Sequence, residues 1–370
     1  MKKVVLIPDS YKGSLSSQSV AAIMSEVIHQ HHPGCQIVSI PISDGGEGFL
    51  DCLLQIFPGK RIPLTVKGPQ GYRINSAYGL LSNRVAIIEL ALASGLLQAS
   101  VDNDPGLATT FGVGELIHDA ILHGANEIWI GLGGSATNDG GCGLAEALGM
   151  EFFSKEGLLI HPNGYTLSQI QSIALNKISD ALLKVHFTLF TDVTNPLCGL
   201  SGASHVFAAQ KGAPSTATIL LEENMQAFSR LLSQQYQFLT DYAGAGAAGG
   251  AGVLLRCFFN TTVALGIEEV LNRLNFDTIL SQADVVITGE GRLDQQTLKG
   301  KAISGIASRC YKSNVPLIAF VGRLDLESSN FPLGLTNVHE ITPRDIELKI
   351  GMSHADYYLK KALESWISQQ

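Results

Sequence analysis

The apolar residues of this 370-residue chain fall into two kinds of pattern. Near the N-terminus they form short unbroken runs. VVLIP at 4–8 ends at Asp9, and QIVSIPI at 36–42 ends at Ser43-Asp44. Apolar runs without alternation belong to strands covered on both faces, as in a parallel sheet. Between them SSQSVAAIMSEVIHQHH has helical spacing, with Ser14 or Ser16 placed to cap its start and Pro33-Gly34 to stop it. FLDCLLQIF then reads as an amphipathic helix ending at Pro58-Gly59. Strand, loop and helix therefore occur twice in the first sixty residues.

The second pattern starts at about 61, where period-two stretches are separated by Gly-Pro-Gln-Gly and Ser-Asn and read as hairpins of an antiparallel sheet. VGELIHDAILHGA (113–125) is a helix closed by Gly124, and it feeds a buried strand, EIWIGLGG (127–134). A strand is expected over 184–193 and a long amphipathic helix over 217–236. ADVVITGEG (283–291) and PLIAFVG (316–322) restore the first pattern, with KAISGIASRCYK as the helix between them. Asn337–Thr342 is a last strand and 352–368 a last helix. The fold class expected is α/β. A Rossmann-like parallel-sheet domain is built from both ends of the chain (1–60, about 100–145, and 255–370). A second, mixed α/β domain (about 61–99 and 150–254) is inserted. The strand near 128 is assigned to the first sheet. Ligands of open α/β sheets sit at the carboxyl ends of the strands, so the active site is expected in the cleft between the two domains.

Composition narrows the function. Charged residues are 16% of the chain, hydrophobic ones 45%, and the formal net charge is -8. Without a run of five basic residues, a nucleic-acid partner is not expected. No apolar stretch approaches the ~20 residues of a membrane span, and the apolar run after Lys2-Lys3 is too short for a signal peptide. A cytoplasmic protein, monomeric or homodimeric, without a membrane partner is expected. The six cysteines lie far apart, which suits free buried thiols and not a zinc site. The histidines have no ligand spacing either.

Glycine, at 39 residues, is in excess, and it clusters beside acidic and amide side chains. Five stretches share this format: Asp9-Ser10 with Lys12-Gly13-Ser14; Ser43-Asp44-Gly45-Gly46-Glu47-Gly48; GLGGSATNDGG at 131–141; Thr191–Pro196; and Gly289–Asp294. Glycine permits positive φ and lets a ligand reach backbone N–H groups, which suits phosphate. No Walker A lysine, no GxGxxG, no protein-kinase HRD or DFG, no HExxH and no GxSxG is present. Phosphoryl transfer needs phosphate donors, carboxylates for Mg²⁺ and cations near the moving group. Asp9, Asp44, Asp139, Asp192 and Asp294 are the candidate carboxylates. Lys12, Lys211, Arg292, Lys301 and Arg323 are the candidate cations. Each has a plainer reading. Asp9, Asp44 and Asp192 serve as turn formers or caps, Lys12 is a solvated loop lysine, Lys211 merely ends a helix, and Arg292 pairs with Asp294.

Taken in order, PDSYKGSLS, SDGGEG, ATTFGVGEL, GLGGSATNDGG, DVTNPLCG, AAQKGA, GAGAAGG and GEGRLDQQTLKGKA resemble the bacterial glycerate kinase family of the type-1 group, from residue 3 to about 325. Tyr11 stands where phenylalanine is usual, and Thr194 where aspartate is common. The resemblance implies an ATP-dependent, Mg²⁺-requiring kinase of D-glycerate, giving 2-phosphoglycerate or 3-phosphoglycerate, on a fold of two α/β domains. The site set expected is Asp44, Asp192, Lys12 and Arg292 for catalysis. Gly133, Gly134, Ser135, Asn138, Gly289 and Lys301 are expected to bind the nucleotide, and Asp139 and Asp294 the metal. Competing readings are a nucleotide-dependent oxidoreductase, which lacks its glycine fingerprint, and a non-catalytic two-lobed binder of small acids or nucleotides.

Overall fold

The computed structural model describes residues 1–43, 45–265, 267–294 and 302–369. The chain divides into two compact units. The first comprises Met1–Asp44, Asp51–Ile56 and Gly266–Gln370, and the second Gly45–Leu50 and Phe57–Leu265.

In the first unit five strands lie in the order β14-β13-β12-β1-β2, every neighbouring pair parallel. They are β1 (Lys3–Leu6), β2 (Gln36–Ser39), β12 (Val285–Leu293), β13 (Leu317–Leu324) and β14 (Leu335–Glu340). β1 is central, and Val4, Val5 and Leu6 are fully buried, as an unalternating apolar run requires. The helix Ser17–His31 is capped by Ser16, whose side chain accepts the Ser19 N–H. Its Val20, Met24, Val27 and Ile28 pack with Leu359, Leu363 and Trp366 of the helix Ala355–Ile367. The helix Ala302–Ser313 packs against β12 and β13. Both ends of the chain thus build one parallel sheet.

The second unit holds a six-stranded sheet in the order β11-β10-β6-β5-β4-β3. Its strands are β3 (Gly59–Lys67), β4 (Arg73–Leu81), β5 (Val85–Glu89), β6 (Glu127–Gly131), β10 (His186–Thr191) and β11 (Thr261–Leu265). β3, β4 and β5 are the expected hairpins, while β5, β6, β10 and β11 run parallel. A small antiparallel sheet of β7 (Glu151–Phe153), β8 (Leu159–Ile160) and β9 (Ser172–Ala174) completes it. Two expectations are corrected here. The strand near 128 is β6, paired between β5 and β10, so it belongs to the second sheet. Residues 100–145, 45–50 and 255–265 belong to the second unit with it. β5 emerges from an antiparallel hairpin yet pairs parallel with β6, and this switch seeds a second parallel sheet inside the insertion. No helix among the described residues is long and apolar enough to cross a membrane.

Candidate active site

Candidate residues lie at the carboxyl ends of the parallel strands in each unit. In the first unit, the ends of β1, β12, β13 and β14 and the segment 341–355 enclose a cavity of about 550 Å³. The turn after β1 is closed by Tyr11 N–H donating to Leu15 O at 2.8 Å and Ser14 N–H donating to Tyr11 O at 2.8 Å. Gly13 has φ +75°, and a Cβ there would lie 3.0 Å from Met352 Cε. Glycine at this position lets the turn close and lets Met352 come near. Ser14 Oγ donates to the carbonyl of Met352, which ties the turn to the far wall. Tyr11 anchors it from below, its buried hydroxyl donating to Phe320 O at 2.9 Å. Burial, with Glu290 nearby, raises that hydroxyl's pKa, so it stays protonated. Lys12 is exposed at the turn's tip and lines the cavity.

Beside this turn lie the ends of β12, which pairs with β1, and of β13. Arg292 Nε is 2.6 Å from Asp325 Oδ2 and 3.7 Å from Asp294 Oδ2. Arg323 approaches Asp325 at 4.0 Å and Glu340 at 3.4 Å. The pairing of Arg292 with Asp294 allowed by the sequence is thus present, but its shorter partner is Asp325, 33 residues on. Asp325 ends the neighbouring strand, so only the sheet registers the two together. Asp9, Glu290 and Gly291 also line this cavity. Gly289 does not. A Cβ there would sit 2.8 Å from Phe320 O and 3.0 Å from the Tyr11 hydroxyl, so this glycine serves packing.

In the second unit the carboxyl ends of β5, β6 and β10 carry the remaining loops. Glu89 ends β5, is buried, and accepts N–H bonds from Gly48 and Leu50 at 3.1 Å. That holds the 45–48 loop against β6. Gly133 N–H donates to Gly45 O at 2.8 Å, and a Cβ on Gly133 would lie 2.4 Å from Gly46 Cα. Gly133 is half-buried for this reason. Gly134, at φ +70°, is exposed beside the Glu47 side chain. Half-buried Asp192 follows β10, and Asn195 beyond it donates to Ser201 O at 2.7 Å.

The rest of the GLGGSATNDGG loop turns inward. Ser135 is 6% exposed, Asn138 0% and Asp139 1%. Asp139 Oδ2 accepts from Thr110 N–H and Thr110 Oγ1–H at 2.8 Å and from Gly143 N–H at 3.2 Å, while Oδ1 accepts from Gly141 N–H at 3.1 Å. Asn138 Nδ2 donates to Ser204 Oγ at 3.2 Å. Lys211, 4% exposed, donates from Nζ to Thr137 O at 2.8 Å. Asn103 Nδ2 bridges Ala136 O and Lys211 O. Asp139 is therefore corrected from metal ligand to internal cap. Its carboxylate is buried and already accepts four bonds from its own chain. Asn138 and Ser135 are likewise part of this buried layer, not an open phosphate cradle. Asp44 and Lys301 lie outside the described residues.

Burial pushes the Asp139 carboxyl above its ordinary range, against four hydrogen bonds that favour the anion. It pushes Lys211 down from 10.5 to about 7, with Asp139 pulling the other way. Between pH 7 and 10.5 the unfolded chain therefore binds the Lys211 proton more than the folded one, so this residue's contribution to stability rises with pH there. Melting temperatures at pH 7.0 and 9.5 check this. The unsubstituted protein gains stability over that interval relative to Lys211→Met. Parallel shifts in the two proteins would remove Lys211 as the source.

Sequence reasoning did not single out Asp325 or the wall from 341 to 355, because neither has a glycine-rich format. The signal available was the Arg-Leu-Asp sequence, which occurs at both 292–294 and 323–325, the ends of two strands that prove to be neighbours.

Known proteins resemble this chain over nearly its whole length. The model of the glycerate kinase family matches residues 4–369. A glycerate kinase of Bacillus subtilis (strain 168) is 37% identical over 363 residues, covering 97% of this chain and 95% of that protein. A glycerate 2-kinase of Escherichia coli (strain K12) is 38% identical over 325 residues, covering 87% and 85%. A crystal structure described as glycerate kinase 2 from Salmonella typhimurium LT2 superposes with TM-score 0.84 at 36% identity, covering 100% of this chain and 99% of that one. A match this complete, over both sheets and every glycine-rich loop, places the chain among phosphotransferase enzymes as a member of the glycerate kinase family.

Proposed function

We propose that the protein transfers the γ-phosphoryl group of ATP to the 2-hydroxyl of D-glycerate, giving 2-phospho-D-glycerate and ADP. The observation that carries the choice of hydroxyl is the similarity to the E. coli glycerate 2-kinase across 87% of the chain. The charge pattern supports the reaction class. Transfer of a phosphoryl group is mostly positioning and charge stabilisation. Lys12 and Arg292 supply positive charge at strand ends. Asp192, half-buried after β10, is assigned to accept the hydroxyl proton, the role an aspartate has in other kinases. Glu47 and the exposed backbone at Gly134 frame the same end of that sheet.

The donor set fits Mg²⁺ carried in on the nucleotide. Mg²⁺ is usually held by one or two carboxylates together with phosphate oxygens. Asp294 lines the cavity that holds Lys12 and Arg292, and Asp9 and Glu290 stand on the same walls. Among the described residues no three acidic, histidine or cysteine side chains are grouped as a protein-only cage. Asp294 is the carboxylate assigned to hold it. When bound, the ion neutralises charge on the phosphate oxygens.

The test is turnover with D-glycerate, ATP and Mg²⁺, followed by phosphorus NMR of the product. A single 2-phosphoglycerate resonance is expected. 3-Phosphoglycerate would move the reading to the other hydroxyl, and ADP release no greater than in a glycerate-free control would end it.

A further inference from the structure

We propose that the cavity of the first unit is the nucleotide site, with the base on the apolar wall from 341 to 355 and the phosphates toward Lys12, Arg292 and Arg323. The proposal rests on the kinase reading above and moves the nucleotide away from the GLGGSATNDGG loop.

Three observations carry it. The first is size and composition. A volume of about 550 Å³ falls in the range of sites that enclose a nucleotide-sized ligand, roughly 300–1,000 Å³. Glycerate has three carbons, each bearing oxygen, so it would use little of that space and none of the apolar wall.

The second is polarity. Ile341, Ile346, Leu348 and Met352 line the cavity together with the three cations and the carboxylates Asp9, Glu290, Asp294 and Asp325. A molecule with an apolar aromatic face and a chain of phosphates that carries a divalent cation matches the apolar, cationic and acidic parts of this lining together. Burying the faces of a purine against aliphatic side chains is favourable because it removes apolar surface from water. Arg292 reaches Asp325 and Asp294 through Nε in both contacts, so the outer edge of its guanidinium can meet a phosphate.

The third is the state of the alternative loop. Its Ser135, Asn138 and Asp139 are buried and bonded within the protein, and Gly133 is covered by the 45–46 backbone. Only Gly134 is exposed. A phosphate cradle needs several consecutive N–H groups open to the ligand.

The test uses the full chain and fluorescence titration with mant-ADP, which reads binding without turnover. Met352→Glu and the exposed Leu348→Glu put a charge on the base wall, and each is expected to weaken mant-ADP at least tenfold. KM for glycerate at saturating ATP is expected to stay within threefold. Arg323→Gln is expected to weaken mant-ADP about tenfold and adenosine less than twofold, since adenosine has no phosphate to lose. Unchanged mant-ADP affinity in both wall variants overturns the proposal, as does a rise confined to the KM for glycerate. Wall-dependent mant-ADP binding by a protein that leaves glycerate unphosphorylated supports this site while ending the proposed activity, so the two readings fail separately.

Discussion

Asp139→Ala is expected to lower the melting temperature by about 6 °C or more. The carboxylate accepts four bonds from Thr110, Gly141 and Gly143 inside a fully buried layer. Its removal leaves three backbone N–H groups without their acceptor, at about 1–3 kcal/mol for each buried donor left unsatisfied. It also removes the negative charge that supports buried Lys211. For a domain of this size 1 kcal/mol moves the melting temperature by roughly 2–4 °C. Calorimetry or circular dichroism without nucleotide or Mg²⁺ measures the effect. A variant that melts within 2 °C of the parent, and differs only in its Mg²⁺ requirement, would return Asp139 to the metal-ligand role.

Asp192→Asn is expected to have the largest effect on rate. If the carboxylate takes the hydroxyl proton, its amide cannot, and kcat should fall by about 10²–10⁴-fold. That is roughly 3–5 kcal/mol of barrier at 1.36 kcal/mol per tenfold. The change is nearly isosteric at a half-buried loop position, so the melting temperature should stay within about 2 °C. Steady-state kinetics separate the possibilities. A kcat within threefold of the parent removes Asp192 from the chemistry. A raised KM for glycerate with kcat unchanged makes it a binding residue only.

The opposite outcomes expected for these two aspartates mark the limit of what the motif text can say. Both follow a strand and sit among glycines or amides, and the sequence format is the same. They differ in whether another backbone lies on top. At Asp139 the 109–111 segment and the glycines at 141 and 143 close over the carboxylate. Asp192 is half-buried. Glycine behaves alike. Gly134 is exposed at a loop tip, whereas Gly131 and Gly133 are glycine because the 45–46 backbone lies where a Cβ would be, 2.6 and 2.4 Å away. A glycine that receives a ligand and a glycine that receives another loop are identical in a sequence.

What the sequence determined by itself was the local structure and the inventory of chemistry. Unbroken apolar runs set β1 and β12 as interior parallel strands. Ser16 set the start of the first helix, and period two set the β3–β4–β5 hairpins. The order of the motifs identified the family. These are properties of neighbours along the chain, which is why they are legible there. Only the tertiary structure decided which sheet β6 joins, that Asp325 is the near partner of Arg292, and that Lys12 and the segment from 341 to 355 line one cavity. Each of these depends on strand order. Strand order is set by which faces bury the most apolar surface together, across separations of up to about 340 residues, and no local pattern encodes that.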